Sequence, residues 1–283
     1  MVIVGANAAR HPLKVLAVLT DEGSARTVLN SAAAACGIDS EGRIIALHVC
    51  VDPHQLIASP EEVAVQYLRE TREGPASIRS ERIHRVFDEW ANSNRTAARG
   101  AEWKERAGSA ATELLKETAQ ADIIVLGKPK NLDGNDALHC ALYLSKQLVL
   151  FVPTPAYSAA PFEDRNALIA WVPRDQTRNA VARAMPWLSV AKKVTVICVG
   201  RDDSVETEEI AKTLELAGVT AEFKRVSADG ASVGARILRE VGAAEAQYLV
   251  MGAFEHGPLI EWLLGRVTKE IMAKTDVPLL LMH

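Results

Sequence analysis

Short apolar runs alternate with amphipathic segments along the whole chain, and this alternation constrains the fold more than any other feature of the sequence. Strands that alternate with helices are typical of βαβ units, which form a parallel sheet. The runs predicted as strands are 15–19, 43–49, 101–107, 122–127 and 148–152, followed by 167–171, 193–199, 220–226, 248–252 and 277–281. We therefore predict an α/β fold that contains two tandem five-stranded parallel-sheet domains.

The two sets of strands form an internal repeat, and a chain of 283 residues has about the length of two domains. The first half is the longer one, because two helical patterns follow its second strand at about 60–95, broken by Gly74 and Pro75. Pro, Ser and Ala are concentrated in 154–165, which is typical of a linker. We therefore predict a first domain at 1–153, a linker at 154–165 and a second domain at 166–283.

Bulk composition excludes several classes of partner. The net charge of −4 and the pI of about 6.0 provide no basic surface for nucleic acid. The chain starts without a basic segment followed by an apolar one, and no apolar run reaches the length of a membrane span. The four cysteines are scattered, so we expect buried, reduced thiols. The expected location is the cytoplasm.

A five-stranded parallel sheet usually has the strand order 3-2-1-4-5, and ligands bind in the crevice where that order reverses. In this order the crevice lies between the first and fourth strands of each half. The segments to consider therefore follow the first strand, at 20–24 and 172–175, and the fourth strand, from Gly127 and from Gly252.

The loop after the fourth strand of the second half carries the most specific motif, MGAFEHGPLIEWLLGRVTKEIM from residue 251. It resembles the nucleotide loop of universal stress proteins, whose ATP-binding members follow G-x-x-G-(nine residues)-G-[S/T]. Glycines let the backbone approach a phosphate, and a helix N-terminus offers unpaired N–H groups. The resemblance implies ATP as a possible ligand, and the candidate binding residues are Gly252, His256, Gly257, Gly265, Arg266, Val267, Thr268 and Val172.

The sequence departs from the family pattern at several of these positions. Glu255 replaces the inner glycine, and Arg266 replaces the Ser or Thr. Where ATP-binding members usually carry an Asp after the first strand, the two halves carry Thr20 and Val172. The loop after Gly127 lacks the spaced glycines altogether. We therefore predict a partly retained nucleotide loop in the second half and a degenerate pocket in the first, where Lys128 and Lys130 are expected to be solvated.

The resemblance also implies how the halves associate. In many relatives the fifth strand pairs across a dimer, and 148–152 and 277–281 are the apolar runs able to do so here. The two halves are thus expected to form an intramolecular pseudo-dimer, and association into a further homodimer stays open.

No catalytic motif accompanies this fold. The chain has no G-x-S-x-G elbow and no G-x-x-x-x-G-K-[S/T] loop, and its histidines show no paired ligand spacing, so we predict neither a catalytic nor a metal site. The leading hypothesis is a non-catalytic regulatory module of the stress response that binds an adenine nucleotide or another small ligand. The alternatives are a weak ATPase and a scaffold that binds a protein partner through the insertion at 60–95.

Overall fold

The computed structural model describes residues 11–153, 161–200, 207–253 and 265–283. The strands in these ranges are β1 Lys14–Val18, β2 Arg43–Cys50, β3 Ala101–Ala107, β4 Ile123–Gly127, β5 Leu148–Val152, β6 Asn166–Ala170, β7 Lys193–Val199, β8 Ala221–Val226, β9 Tyr248–Gly252 and β10 Leu279–Met282. The helices are α1 Glu22–Cys36, α2 Pro60–Glu73, α3 Ala76–Ser93, α4 Ala110–Thr118, α5 Leu132–His139, α6 Asp175–Leu188, α7 Glu208–Leu216, α8 Val233–Ala243 and α9 Arg266–Lys274, and a π-helical turn spans Cys140–Leu144.

All of these strands belong to one ten-stranded sheet, with the order β3-β2-β1-β4-β5-β10-β9-β6-β7-β8. Each half keeps the predicted order 3-2-1-4-5, but the strands form one ten-stranded sheet instead of the two five-stranded sheets predicted for the tandem domains. The predicted pairing of the fifth strands is confirmed, and it makes one sheet because β5 and β10 pair antiparallel, with Leu150 opposite Leu280. Every other pairing in the sheet is parallel.

Two apolar layers cover the two faces of the sheet. Successive side chains of a strand point to opposite faces, so Val15 and Ala17 belong to one layer whereas Leu16 and Val18 belong to the other. Helices α1, α3, α6 and α7 bury side chains in the first layer, and α4, α5, α8 and α9 bury side chains in the second. Both layers contain residues of both halves, so the core is continuous across the β5–β10 junction.

Hydrogen bonds also join the halves. The indole Nε1 of Trp187, at the end of α6, donates to the carbonyl oxygen of Ala35 in α1 at 2.9 Å. Within the second half, the hydroxyl of Tyr248, in β9, donates to the carbonyl oxygen of the same Trp187 at 3.1 Å. All three residues are buried, so breaking either bond leaves a polar group without water to replace its partner.

The insertion forms the two predicted helices. Ser59 begins α2 with a capping box, in which its hydroxyl accepts from Glu62 N and its own N donates to Glu62 Oε2, both at 3.2 Å. Gly74 ends α2 with a φ of 87°, a conformation that favours glycine. Helix α3 packs on the first layer through Ile83, Phe87 and Trp90.

The four cysteines carry free thiols. Cys36, Cys140 and Cys198 are buried as expected, whereas Cys50 is only partly buried. Burial raises the pKa of the Cys36 and Cys140 thiols to about 11, so both stay protonated at neutral pH. In the described ranges, no helix is long and apolar enough to cross a bilayer.

Candidate ligand crevices

The sheet contains two points at which the strand order reverses. One lies between β1 and β4, and the other lies between β6 and β9. In both pairs the strands are parallel, so the loops that follow them leave the sheet at the same edge. These are the positions at which ligands of open α/β sheets bind.

The crevice of the first half is closed by its own loops. Asn131 caps α5 by accepting from Gly134 N at 2.8 Å, and its amide Nδ2 donates to the carbonyl oxygen of Thr20 at 3.0 Å. Lys130 Nζ lies 3.3 Å from Asp21 Oδ1, which itself caps α1. The segment after β4 is therefore tied directly to the turn after β1.

The two lysines of this loop are exposed, as predicted, and each also makes one contact with the protein. Lys130 is paired with Asp21, and Lys128 Nζ donates to the carbonyl oxygen of Ala273 at 3.2 Å. The first contact joins this loop to the turn after β1, and the second links the first half to the end of α9. Both side chains remain exposed, and each ammonium group has further N–H donors beyond its one contact.

Helix α2 of the insertion completes the closure. Its Gln66 and Arg69 are 3% and 8% exposed, and both bind Asp133 in the first turn of α5, which is 5% exposed. Gln66 Nε2 donates to Asp133 Oδ1 at 2.8 Å, and Arg69 Nη1 donates to Asp133 Oδ2. The cavity that remains beside Val18, Thr20 and Asp133 has a volume of about 10 Å³, too small for a nucleotide.

Arg69 keeps its positive charge despite burial. Burial alone would lower the pKa of Arg69, but Asp133 and Glu73 act in the opposite direction and the net shift is upward. Arg69 Nε also donates to Glu73 Oε2 at 2.7 Å. An arginine side chain thus occupies a position in the crevice of the first half, where it neutralises a carboxylate of the protein itself.

The predicted site residues of the second half fall at the matching edge of the sheet. Gly252 ends β9 and is buried, with Met282 of β10 as its neighbour in register. Val172 follows β6 and is exposed. Gly265 immediately precedes α9, whose first three residues are Arg266, exposed, Val267, partly buried, and Thr268, buried. His256 and Gly257 lie outside the described residues.

The N-terminus of α9 differs from that of α5. Among the described residues no side chain caps α9, whereas Asn131 caps α5. Gly265 has a φ of −55°, so its backbone conformation is open to any residue and does not itself require glycine. In α6, at the same edge, Thr177 is fully buried and its hydroxyl has no hydrogen-bond partner within the described ranges.

Comparisons with known proteins agree with this architecture. Residues 146–283, from just before β5 to the last residue of the sequence, match the Universal stress protein family. Residues 146–283 are a universal stress protein domain. No curated protein matches the chain.

Solved structures of universal stress proteins share the fold over nearly the whole chain. A universal stress protein from Archaeoglobus fulgidus DSM 4304 is 19% identical, with 95% of each chain covered and a TM-score of 0.68. A putative universal stress protein from Pseudomonas aeruginosa UCBPP-PA14 is 15% identical, with 98% of this chain and 95% of that chain covered and a TM-score of 0.59. Both structural alignments therefore include the first half of the chain as well as the universal stress protein domain.

In the described part of the connection between β7 and β8, the second half has no counterpart of the helix pair that covers the first crevice. Residues 51–100 connect β2 to β3, whereas only 200–220 connect β7 to β8, and α7 is the helix described there. Helix α7 buries Ile210 and Leu214 in the apolar layer. Nothing in the described part of this connection reaches the crevice between β6 and β9.

Two groupings in the first half were not predicted from the sequence. Arg69 and Asp133 are far apart in the chain and meet only through the fold. Asp52, His54 and Glu70 also come together, with ligand atoms all within 4.8 Å of one another. The expectation of no metal site rested on the spacing of the histidines and cysteines in the sequence, which gives no signal for ligands contributed by a loop and a helix.

Proposed function

We propose that this chain is a non-catalytic regulatory module of the stress response that binds an adenine nucleotide, ATP being the first candidate, in the crevice of its universal stress protein domain. The observation that carries the proposal is the asymmetry of the two crevices. The side chains of Asp133, Gln66 and Arg69 fill the crevice between β1 and β4. In the described part of the crevice between β6 and β9, no such group of side chains occupies the corresponding space.

The groups around the second crevice suit a phosphate. No side chain in the described part of the chain caps α9, so its N-terminus presents N–H donors and the positive end of the helix dipole. The exposed Arg266 adds a full positive charge there. Val172, at the position where relatives often carry an Asp, would offer the base an apolar contact instead of a hydrogen bond.

A titration with nucleotide tests this proposal. The melting temperature of the full chain is measured against ATP, with and without Mg²⁺, and against AMP. Ligand at a hundred times its Kd stabilises a protein by about 2.7 kcal/mol, which gives a clear shift. The test variant is Gly265→Trp, and the matched control is Leu216→Trp, which adds the same ring at a position that is 81% exposed at the end of α7.

We expect ATP to raise the melting temperature of the wild type and of Leu216→Trp in a saturable way, and to have no effect on Gly265→Trp. A wild-type melting temperature that stays constant up to millimolar ATP would refute nucleotide binding. Phosphate release should stay at the buffer background when Mg²⁺ is present. Release that the wild type catalyses and Gly265→Trp does not would instead establish the weak ATPase.

The distribution of buried and exposed side chains on α2 favours a second candidate function, a scaffold that binds a protein partner through the insertion. Its buried side chains are the polar Gln66 and Arg69, while Val65 and Leu68 are exposed, Leu68 to 61%. Ile57, in the preceding loop, is almost completely exposed. An apolar surface of this kind is typical of interaction sites.

Sedimentation of the full chain tests the simplest form of this second function, the further homodimer. If α2 forms the contact, Leu68→Asp sediments as a monomer at concentrations where the wild type does not. A wild type that is itself monomeric would leave only a different protein partner for this surface. In either case we expect the protein to act in the cytoplasm.

A further inference from the structure

The insertion and the ends of β2 and β3 enclose an open cavity of about 580 Å³. It lies on the side of α2 and α3 that faces the loop after β2, apart from both crevices. Four carboxylates and two imidazoles line it, and no lysine or arginine does so among the described residues. These six residues are Asp52, His54, Glu70, His84, Glu81 and Glu105.

Three of these side chains converge on one point. The ligand atoms of Asp52, His54 and Glu70 all lie within 4.8 Å of one another. His54 Nε2 is 3.7 Å from Glu70 Oε2, which is too long for a hydrogen bond. Two ligand atoms on one tetrahedral metal ion are about 3.3 Å apart when each bond is about 2.0–2.1 Å, so small side-chain rotations suffice.

Each of the three side chains is held by a second contact, as is usual for metal ligands. The hydroxyl of Tyr67 lies 3.3 Å from His54 Nδ1, and a proton on Nδ1 leaves the lone pair of Nε2 free. Glu70 Oε1 accepts from Ala76 N at 3.2 Å. Asp52 Oδ1 accepts from the backbone N of His54 at 2.9 Å, which fixes these two ligands relative to each other.

We propose that Asp52, His54 and Glu70 bind a divalent transition-metal ion. One imidazole nitrogen with two carboxylate oxygens suits Zn²⁺ or a similar ion better than Mg²⁺ or Ca²⁺, which take oxygen ligands. The surplus of negative charge in the cavity attracts a cation of any kind, and the imidazole selects among them. The bound ion joins the loop after β2 to α2, and so fixes the helix that closes the first crevice.

Titration with ZnCl₂ tests the site. The full chain, without an affinity tag and without nucleotide, is titrated by calorimetry, and Co²⁺ absorption spectra report the ligand field. The variants are His54→Ala and Glu70→Gln. The matched control is His84→Ala, because His84 lines the same cavity but stacks on Trp103, with 4.4 Å between ring centroids, and lies outside the cluster.

We expect one Zn²⁺ per chain, an affinity at least about 10-fold weaker in both variants, and an unchanged affinity in His84→Ala. His54 is exposed, so His54→Ala is expected to fold, and circular dichroism confirms this for each variant. Equal affinities for the wild type, His54→Ala and Glu70→Gln would overturn the proposal. An equally large loss in His84→Ala would overturn it too, because the ion would then be bound elsewhere in the cavity.

Discussion

Arg69, in the inserted helix α2, pairs with Asp133, in the first turn of α5, and both side chains are buried. The pair fixes the insertion to the crevice of the first half. Removing one partner of a buried ion pair leaves the other charge buried without compensation. Replacing both partners by neutral residues leaves no such charge. The two residues can therefore be tested by a double-mutant cycle.

We predict that Arg69→Met lowers the free energy of unfolding by about 3 kcal/mol, since Asp133 then stays buried without its cation. Asp133→Asn added to Arg69→Met should restore most of that loss, because it removes the stranded charge and keeps an acceptor for Gln66. Urea denaturation of the wild type, both single variants and the double variant measures the coupling. Additive effects of the two substitutions would show that the pair is not coupled.

Asp136, one turn further along α5, gives a pH-dependent prediction. Burial raises its pKa to about 6, and the nearby Asp133 and Glu62 act in the same direction. The folded protein then binds a proton that the unfolded chain, with a pKa of about 3.9, has already lost. Stability must therefore fall as the pH rises through the interval between these two values.

Asp136→Asn removes that dependence. We expect the variant to melt at a higher temperature than the wild type at pH 7.5, and at the same temperature below about pH 3, where Asp136 is protonated in both states of the wild type. Melting curves at half-unit steps of pH measure the difference. A difference that is constant across this range would mean that Asp136 does not titrate as described.

The junction between the halves provides a third prediction. Leu280 is fully buried opposite Leu150, so Leu280→Ala should lower the free energy of unfolding by about 3 kcal/mol. Leu216→Ala, at an exposed apolar position of the same half, should change it by less than about 0.5 kcal/mol. Because the core is continuous across the junction, we also expect one unfolding transition for both halves. Two separate transitions would contradict a shared core.

The strands and the two inserted helices could be predicted because their signals are local. Apolar runs such as 148–152 and 248–252 coincide with β5 and β9, and Ser59, Pro60 and Gly74 mark the ends of α2. The pairing of the fifth strands within the chain was predicted from the family resemblance rather than from a local signal, and β5 and β10 do pair. Only the structure shows that this pairing gives one continuous sheet with a core shared by both halves.

The polar groupings could not be predicted because their members are distant in sequence. From the sequence alone, Arg69 would be interpreted as a solvated residue of a helix, and only the structure shows that it pairs with Asp133. His54 and Glu70 are likewise separated by most of a helix and meet through the turn before α2. In the universal stress protein domain, the motif correctly places Gly252 at a strand end and Gly265 before a helix, while His256 and Gly257 lie outside the described residues.

The number of nucleotides bound per chain tests the central claim most directly. Equilibrium dialysis of the full chain against radiolabelled ATP, at saturation, counts them without assigning a site beforehand. One crevice is closed by Arg69 and Asp133, so we predict one ATP per chain. Two per chain would contradict the closure of the first crevice, and none at millimolar ATP would contradict a retained site in the second.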